Sequence, residues 1–143
     1  VQQFFDQSCE WILDEYQPDY VVDAIDTITS KMDLIQMCAY RKTPCISSLG
    51  MANRLDPSCL EVTTLDKTYM DPLAKALRLL AKKRNYTRKI NVVFSKEQPI
   101  KQNIVVDENG QTRKEKIPPS SMIFVPAAAG LLLGSVVIRK ILE

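Results

Sequence analysis

The sequence predicts an α/β fold organised around a largely parallel sheet, and two features carry that expectation. The first is Tyr20-Val-Val-Asp-Ala-Ile-Asp26, an apolar run bounded by Pro18 and by Thr27-Ile-Thr-Ser30. A short apolar run between turn formers predicts a strand over Tyr20–Ile25, buried on both faces. The second is its sequel: a helical pattern and another short apolar run within about thirty residues, the length of a right-handed βαβ unit.

Each element has a local reason. Ser30 with Asp33 resembles a weak capping box, and Met32, Ile35 and Ala39 recur at helical spacing, which predicts a helix over Lys31–Arg41. Pro44-Cys-Ile-Ser-Ser48, closed by Gly50, predicts the second strand, and Arg54-Leu-Asp-Pro57 a turn. Leu60–Leu65 alternates as a half-exposed strand does. Asp71-Pro72 supplies an N-cap and a proline at the first helical position, with Leu73, Ala76, Leu77 and Leu80 as the buried stripe. Lys75, Arg78 and Lys82 fall on the opposite side. Ile90–Ser95 is a further strand, and Gln102–Val106 and Gln111–Lys116 flank Asn109-Gly110 as a charged hairpin or a mobile loop. Pro118-Pro119 leads into a final apolar helix with Arg139 and Lys140 near its negative end.

A chain of 143 residues with 45% apolar and 25% charged side chains has enough apolar surface for a folded core. Val1–Glu15 has neither an initiator methionine nor a secretory pattern, and Phe4, Phe5, Trp11, Ile12 and Leu13 suggest a structure already under way. The expectation is a chain that begins inside a larger protein. Cys9, Cys38, Cys45 and Cys59 form no CxxC pair and histidine is absent, which argues against zinc and against a histidine triad. Irregular cysteine spacing fits a reducing, cytoplasmic compartment, with Cys38 and Cys45 as small buried hydrophobes. Met122–Ile138 is 17 residues without charge and holds Gly130 and Gly134 as a GxxxG pair. Its length falls just short of a usual span and Pro126 interrupts it, so a buried helix is expected rather than a membrane span.

Candidate functional residues follow from position. In parallel sheets ligands bind beyond the carboxyl ends of the strands. Asp26 stands there, and a carboxylate there can hold Mg²⁺ beside a nucleotide phosphate or simply complement a helix dipole. From Pro72 to Lys96 there are eight basic residues and no acidic one. Lys82, Lys83, Arg84, Arg88 and Lys89, with Tyr86 among them, form either the wet face of a helix or a phosphate-binding patch. Arg54 lies in the turn on the presumed ligand side, where it meets substrate or solvent.

Pro18-Asp-Tyr-Val-Val-Asp-Ala-Ile-Asp26 with Lys31 resembles the metal-binding strand of the ubiquitin-activating-like superfamily of ThiF, MoeB and HesA proteins. Val62-Thr-Thr-Leu-Asp-Lys-Thr68, Asp71-Pro-Leu-Ala74, Val93-Phe-Ser-Lys-Glu97 and Val125-Pro-Ala127 are similar to the tRNA threonylcarbamoyladenosine dehydratases within it. The resemblance runs from about Pro18 to the end and is most specific in the second group of motifs. It implies a Rossmann-like domain whose C-terminal part is residues 1–143, with mixed strands and a buried C-terminal helix. It implies ATP and Mg²⁺ as cofactors and tRNA as partner. The reaction implied is adenylation of the threonylcarbamoyl carboxylate, then cyclisation. On this resemblance Asp26 is the metal ligand, Lys31 a basic residue near the nucleotide, and the protein a homodimer. Asp23, three residues before Asp26 on a strand, points to the other face and is given no catalytic role.

Two departures matter. The family's Gly-rich phosphate loop and its upstream Arg and Lys have no counterpart here, since Gly50, Gly110, Gly130 and Gly134 are too scattered to cradle phosphates. The 143 residues alone are therefore expected to be inactive. Relatives that activate ubiquitin-like carriers use a crossover cysteine, whose place is taken here by Cys59, expected to be a packing residue. An adenylyltransferase for a sulfur-carrier protein and a non-catalytic dimerisation module stand as the alternative readings.

Overall fold

A computed structural model describes residues 5–101 and 119–143. The Asn109-Gly110 hairpin expected from the sequence lies outside the described residues. In chain order the elements are α1 (Glu10–Tyr16), β1 (Val21–Asp23), α2 (Ile28–Arg41), β2 (Cys45–Ser48), β3 (Leu60–Thr64), α3 (Pro72–Lys83), β4 (Asn91–Ser95) and α4 (Phe124–Leu142). The strands form one sheet in the order β1-β2-β4-β3. β1, β2 and β4 run parallel, with Val22 opposite Ile46 and Ser47 opposite Val92. β3 adds antiparallel to β4, Val62 opposite Val93. The sheet is mixed, as expected.

Helices cover both faces. Met32 and Ile35 of α2 and Ala74, Leu77 and Ala81 of α3 pack on Val92 and Phe94. Val125, Ala129 and Leu133 of α4 pack on Ile46 and Val93 from the other side. Val92 and Val93 are each fully buried, so β4 is the strand enclosed on both faces. That property was expected of the first strand. Among the described residues β1 is instead an edge strand, and its Val22 is 46% exposed. β1 also stops earlier than expected. The Asp23 carboxylate accepts from Ile25 N at 2.9 Å, an acid-to-backbone turn that competes with strand pairing and ends it.

α2 begins at Ile28, a turn before the expected start, with Thr27 as an extended N-cap, so Ser30 is buried inside the helix rather than capping it. It ends at Lys42 in the left-handed region, φ 59°. α3 starts as read: Asp71 Oδ1 accepts from Ala74 N at 3.0 Å and Pro72 takes the first turn. Its buried stripe is Ala74, Leu77 and Ala81, with Leu73 and Leu80 at the flanks.

α4 departs most from expectation. Only Val125, Ala129 and Leu133 are buried, and Phe124, Leu131, Ile138, Ile141 and Leu142 face outward. A Cβ on Gly130 or Gly134 would meet nothing within 4 Å, so both glycines lie on the open face. α4 is long and apolar enough to cross a membrane by length and composition.

Candidate functional site

The carboxyl ends of the three parallel strands converge on one rim of the sheet, bounded by Asp23, Ser48 and Ser95 and by the loops that follow them. Helix α2, starting just beyond β1, lays Lys31 across this rim. Its Nζ lies 2.7 Å from Asp23 Oδ2 and donates to the Ser48 carbonyl at 2.9 Å. Both side chains of the pair are fully buried. Lys31, expected near a nucleotide, thus spends its ammonium beneath the rim, tying β1 to β2. Asp23, expected to have no catalytic role, is its buried counter-ion. Sequence reading missed this pair because it carried the strand through to Ile25. With β1 ending at Asp23, the strand tip and the first turn of α2 are neighbours.

Asp26 lies in the loop between β1 and α2, just before Thr27. It is exposed, and no described residue pairs with its carboxylate. An unencumbered carboxylate suits Mg²⁺, a hard cation that takes oxygen donors, commonly one or two carboxylates with phosphates and water completing the shell. Among the described residues no group of three or more metal-ligating acids or thiols occurs.

The second wall of the rim is the loop after β2, held by a buried arginine. Arg54 is 2% exposed, which corrects its reading as a turn residue facing substrate or solvent. Its Nε donates to the Glu97 carbonyl at 3.1 Å, Nη2 to the Met70 carbonyl at 3.2 Å, and Nη1 to the Gly50 carbonyl. Asp71 lies 3.8 Å from Nη2 and also accepts from Gly50 N at 3.1 Å. A Cβ on Gly50 would approach Asp71 Oδ1 to 3.3 Å, so the close contact favours glycine there. The Glu97 carboxylate accepts from Leu55 N at 3.0 Å and Asp56 N at 2.9 Å. Burial pulls the Arg54 guanidinium below its ordinary value, and Asp71 and Glu97 push it back. Three separate motifs, Arg54-Leu-Asp-Pro57, Asp71-Pro-Leu-Ala74 and Val93-Phe-Ser-Lys-Glu97, therefore meet in one network that shapes the loop. Their spacing in sequence gave no sign of that meeting.

The basic residues lie at the opposite, amino end of the parallel strands, around the turn from α3 into β4. Lys82, Lys83, Arg88 and Lys89 are exposed. A cavity of about 620 Å³ there is floored by Leu65, Ala81 and Ile90 and bordered by Arg78, Lys82 and Tyr86. Arg84 is committed inward, bonding Asp33 Oδ1 at 2.5 Å and Gln36 Oε1 at 2.7 Å between α2 and α3. Arg78 leaves the wet face expected of it and donates to the Leu65 and Thr68 carbonyls at 3.2 and 3.1 Å.

Cys59 lies half-buried in a short turn before β3, where its Sγ donates to Asp56 Oδ2 at 3.4 Å. Burial, then this bond and the Asp56 charge, push its thiol up, the reverse of what an attacking thiolate needs.

No family model matches the chain. It is 39% identical to the tRNA threonylcarbamoyladenosine dehydratase of Bacillus subtilis over 99% of its own length and 54% of that protein's. It is 43% identical to the second such dehydratase of Saccharomyces cerevisiae over 57% of its length and 18% of the yeast protein. The solved Escherichia coli tRNA N6-threonylcarbamoyladenosine dehydratase in complex with AMP superposes with a TM-score of 0.81 at 26% identity, covering 99% of this chain and 56% of that one. The ATP complex of that protein gives 0.81 at 27% identity. The mixed sheet and its flanking helices are thus the Rossmann-like fold of the ThiF and MoeB adenylating proteins. Within that class the chain is similar, along almost its whole length, to the tRNA threonylcarbamoyladenosine dehydratases. It spans about half the length of the relatives it matches.

Proposed function

We propose that this chain serves the ATP-dependent dehydration of threonylcarbamoyladenosine in tRNA, by adenylation of the carboxylate and closure of a ring. The observation that supports this reading best is 39% identity to a dehydratase along 99% of the chain. The chemistry has a simple logic. A carboxylate is a poor electrophile because hydroxide leaves badly. Attack of one carboxylate oxygen on the α-phosphorus of ATP expels pyrophosphate and gives an acyl adenylate. A nucleophile within the modification then attacks the carbonyl and AMP leaves. Dehydration needs no enzyme thioester, in keeping with a raised Cys59 thiol.

In this reading Asp26 holds Mg²⁺, whose charge offsets the triphosphate and steadies it for in-line attack. Asp23 and Lys31 fix the β1 and β2 tips beneath it, and Arg54 fixes the loop opposite. Residues 1–143 form the C-terminal part of the adenylating domain, and nucleotide binding needs a phosphate loop that this sequence does not contain. Lys82, Lys83, Arg88 and Lys89 meet tRNA phosphates, with Arg84 supporting them from behind. Phosphate contacts of this kind position tRNA without reading its sequence. The protein works in the cytoplasm as a homodimer. The outward stripe Phe124, Ala127, Leu131, Gly134, Ile138 and Ile141, spaced alternately by three and four residues, is the surface for a second copy rather than a membrane span.

ATP–pyrophosphate exchange by the protein containing this chain tests the reading. Exchange that depends on threonylcarbamoyladenosine-bearing tRNA supports it. Exchange that depends on a Gly-Gly-ended carrier protein makes it a sulfur-carrier adenylyltransferase instead, and no exchange with either makes it a binding module.

A further inference from the structure

We propose that Cys38 and Cys45 are a peroxide-sensitive pair that closes to a reversible disulfide, stapling the end of α2 to the start of β2. Neither thiol belongs to the rim, so the inference stands apart from the proposed dehydration. Both were expected to be inert packing residues, and the geometry gives them more to do.

Cys38 is in the last turn of α2 and Cys45 is the first residue of β2. Between them the chain reverses: Lys42 adopts φ 59° and Thr43 N donates to the Cys38 carbonyl at 2.9 Å. The reversal returns Cys45 to the neighbourhood of Cys38, and the two belong to one apolar cluster with Leu13 and Leu34. Cys45 is pinned in register opposite Val21, and Val21 N donates to the Pro44 carbonyl at 2.8 Å, so the turn is held from both sides. Both cysteines line a cavity of about 290 Å³ together with Lys42, Thr43, Arg88 and Lys89. Cys38 is 1% exposed and Cys45 half-buried, so a small oxidant reaches them through this cavity while a bulky one does not.

The acidities are divided. The neighbouring Cys45 thiol holds the Cys38 thiol below its ordinary value against its burial, and the Cys45 thiol is pushed up by Cys38 and by its own burial. Cys38 is accordingly the nucleophile. Its thiolate attacks one oxygen of hydrogen peroxide, the O–O bond breaks, and hydroxide leaves, giving a sulfenic acid. Cys45 sulfur then attacks Cys38 sulfur and displaces its hydroxyl, which takes the Cys45 proton and departs as water. In sum, two thiols and one peroxide give one disulfide and two waters, the thiols losing two electrons. The Lys42–Thr43 turn already bears the chain reversal that the bond requires.

The experiment is peroxide titration of the protein containing this chain, followed by alkylation, digestion without reductant and peptide mass mapping. The expected product is a single linked peptide pair carrying Cys38 and Cys45, two hydrogens lighter than its parts, absent after dithiothreitol. Cys59 stays alkylatable over the same titration. Oxidised glutathione, too bulky for the cavity, is expected to act at least tenfold more slowly than peroxide. A sulfinic acid accumulating on either cysteine, linkage of either to Cys9 or Cys59, or both thiols remaining alkylatable when Cys59 is oxidised would overturn the proposal. Mapping the unaltered protein keeps the test independent of whether Cys38→Ser or Cys45→Ser folds.

Discussion

Lys31 and Asp23 make a fully buried ion pair of 2.7 Å that joins the first turn of α2 to the tip of β1. The same ammonium reaches Ser48 at the tip of β2. The pair sits in the core with both carboxylate oxygens accounted for: Asp23 Oδ1 is satisfied by Ile25 N and Oδ2 by Lys31. Breaking such a pair leaves an uncompensated buried charge, which is far worse than removing both partners. Lys31→Met is expected to lower unfolding free energy by about 3–5 kcal/mol, and adding Asp23→Leu to recover much of that. Urea unfolding of the two variants measures it. Equal losses in the single and double variants would show that the pair contributes no mutual compensation.

Arg54 plays a comparable part on the opposite wall, with carbonyls as its partners. Arg54→Met strands the Gly50, Met70 and Glu97 carbonyls and leaves Asp71 without its guanidinium. The expected cost is about 3–5 kcal/mol. Arg54→Lys keeps the charge but not the planar fork, so it recovers only part. Amide exchange separates this from a general loss of stability. Gly50, Leu55 and Asp56 N–H groups, which bond Asp71 and Glu97, should lose protection well before β4 does.

The basic patch divides into solvated and structural members. Replacing Lys82, Lys83 and Lys89 together by Ala is expected to flatten the dependence of log affinity for tRNA on log salt by about 2, with the unfolding midpoint unchanged. Arg84→Ala is expected to leave that slope nearly unchanged and to lower stability by about 1 kcal/mol, since it links Asp33 and Gln36 across α2 and α3. Salt titrations of tRNA binding and urea midpoints distinguish the two groups. An unchanged slope in the triple variant would remove the patch from the tRNA footprint.

Cys59 gives a pH dependence with a definite sign. Its folded-state thiol is raised by burial and by Asp56, so the neutral form is favoured. Any stability it confers is present below the ordinary thiol pKa and lost as pH rises through the raised one. Alkylation of Cys59 at pH near 8 is expected to be several-fold slower than that of a free thiol, which titrates at about 8.5. Asp56→Asn, which removes the charge, should speed it. Iodoacetamide rates across pH, followed by peptide mass, read this directly. A Cys59 that alkylates fastest near neutrality would contradict the raised value and revive an attacking role.

What was legible in the sequence was local. Asp71-Pro72 announced the start of α3 because capping chemistry is carried within four residues. The two-residue period marked β3, and the βαβ order placed β1 beside β2 in parallel. What stayed hidden was relational. An apolar run does not say whether its strand is central or at an edge, so two-sided burial was read into β1 and belongs to β4. The apolar span of α4 fixed a helix but not which of its faces would be covered. Arg54, Asp71 and Glu97 were each in conspicuous motifs, yet 43 residues separate the ends of that network, and only the sheet order brings them together.

Asp26 and Asp23 are three residues apart and are expected to respond oppositely to the same change. Asp26 is exposed with no described partner, so Asp26→Asn has little folding energy to remove and should leave the urea midpoint within about 0.5 kcal/mol of the unaltered protein. If its carboxylate holds Mg²⁺ beside the triphosphate, tRNA-dependent ATP–pyrophosphate exchange should fall by roughly 100-fold or more, a barrier increase of about 3 kcal/mol. Raised Mg²⁺ should restore part of the loss, because a weakened site refills by mass action. Asp23→Asn instead leaves the Lys31 ammonium buried without its counter-ion, so stability falls by about 3–5 kcal/mol and activity falls with it, whatever the Mg²⁺ concentration. An Asp26→Asn protein that exchanges pyrophosphate at the normal rate would take the metal away from this loop and leave the buried pair and the Arg54 network as supports of a rim that binds no ion there.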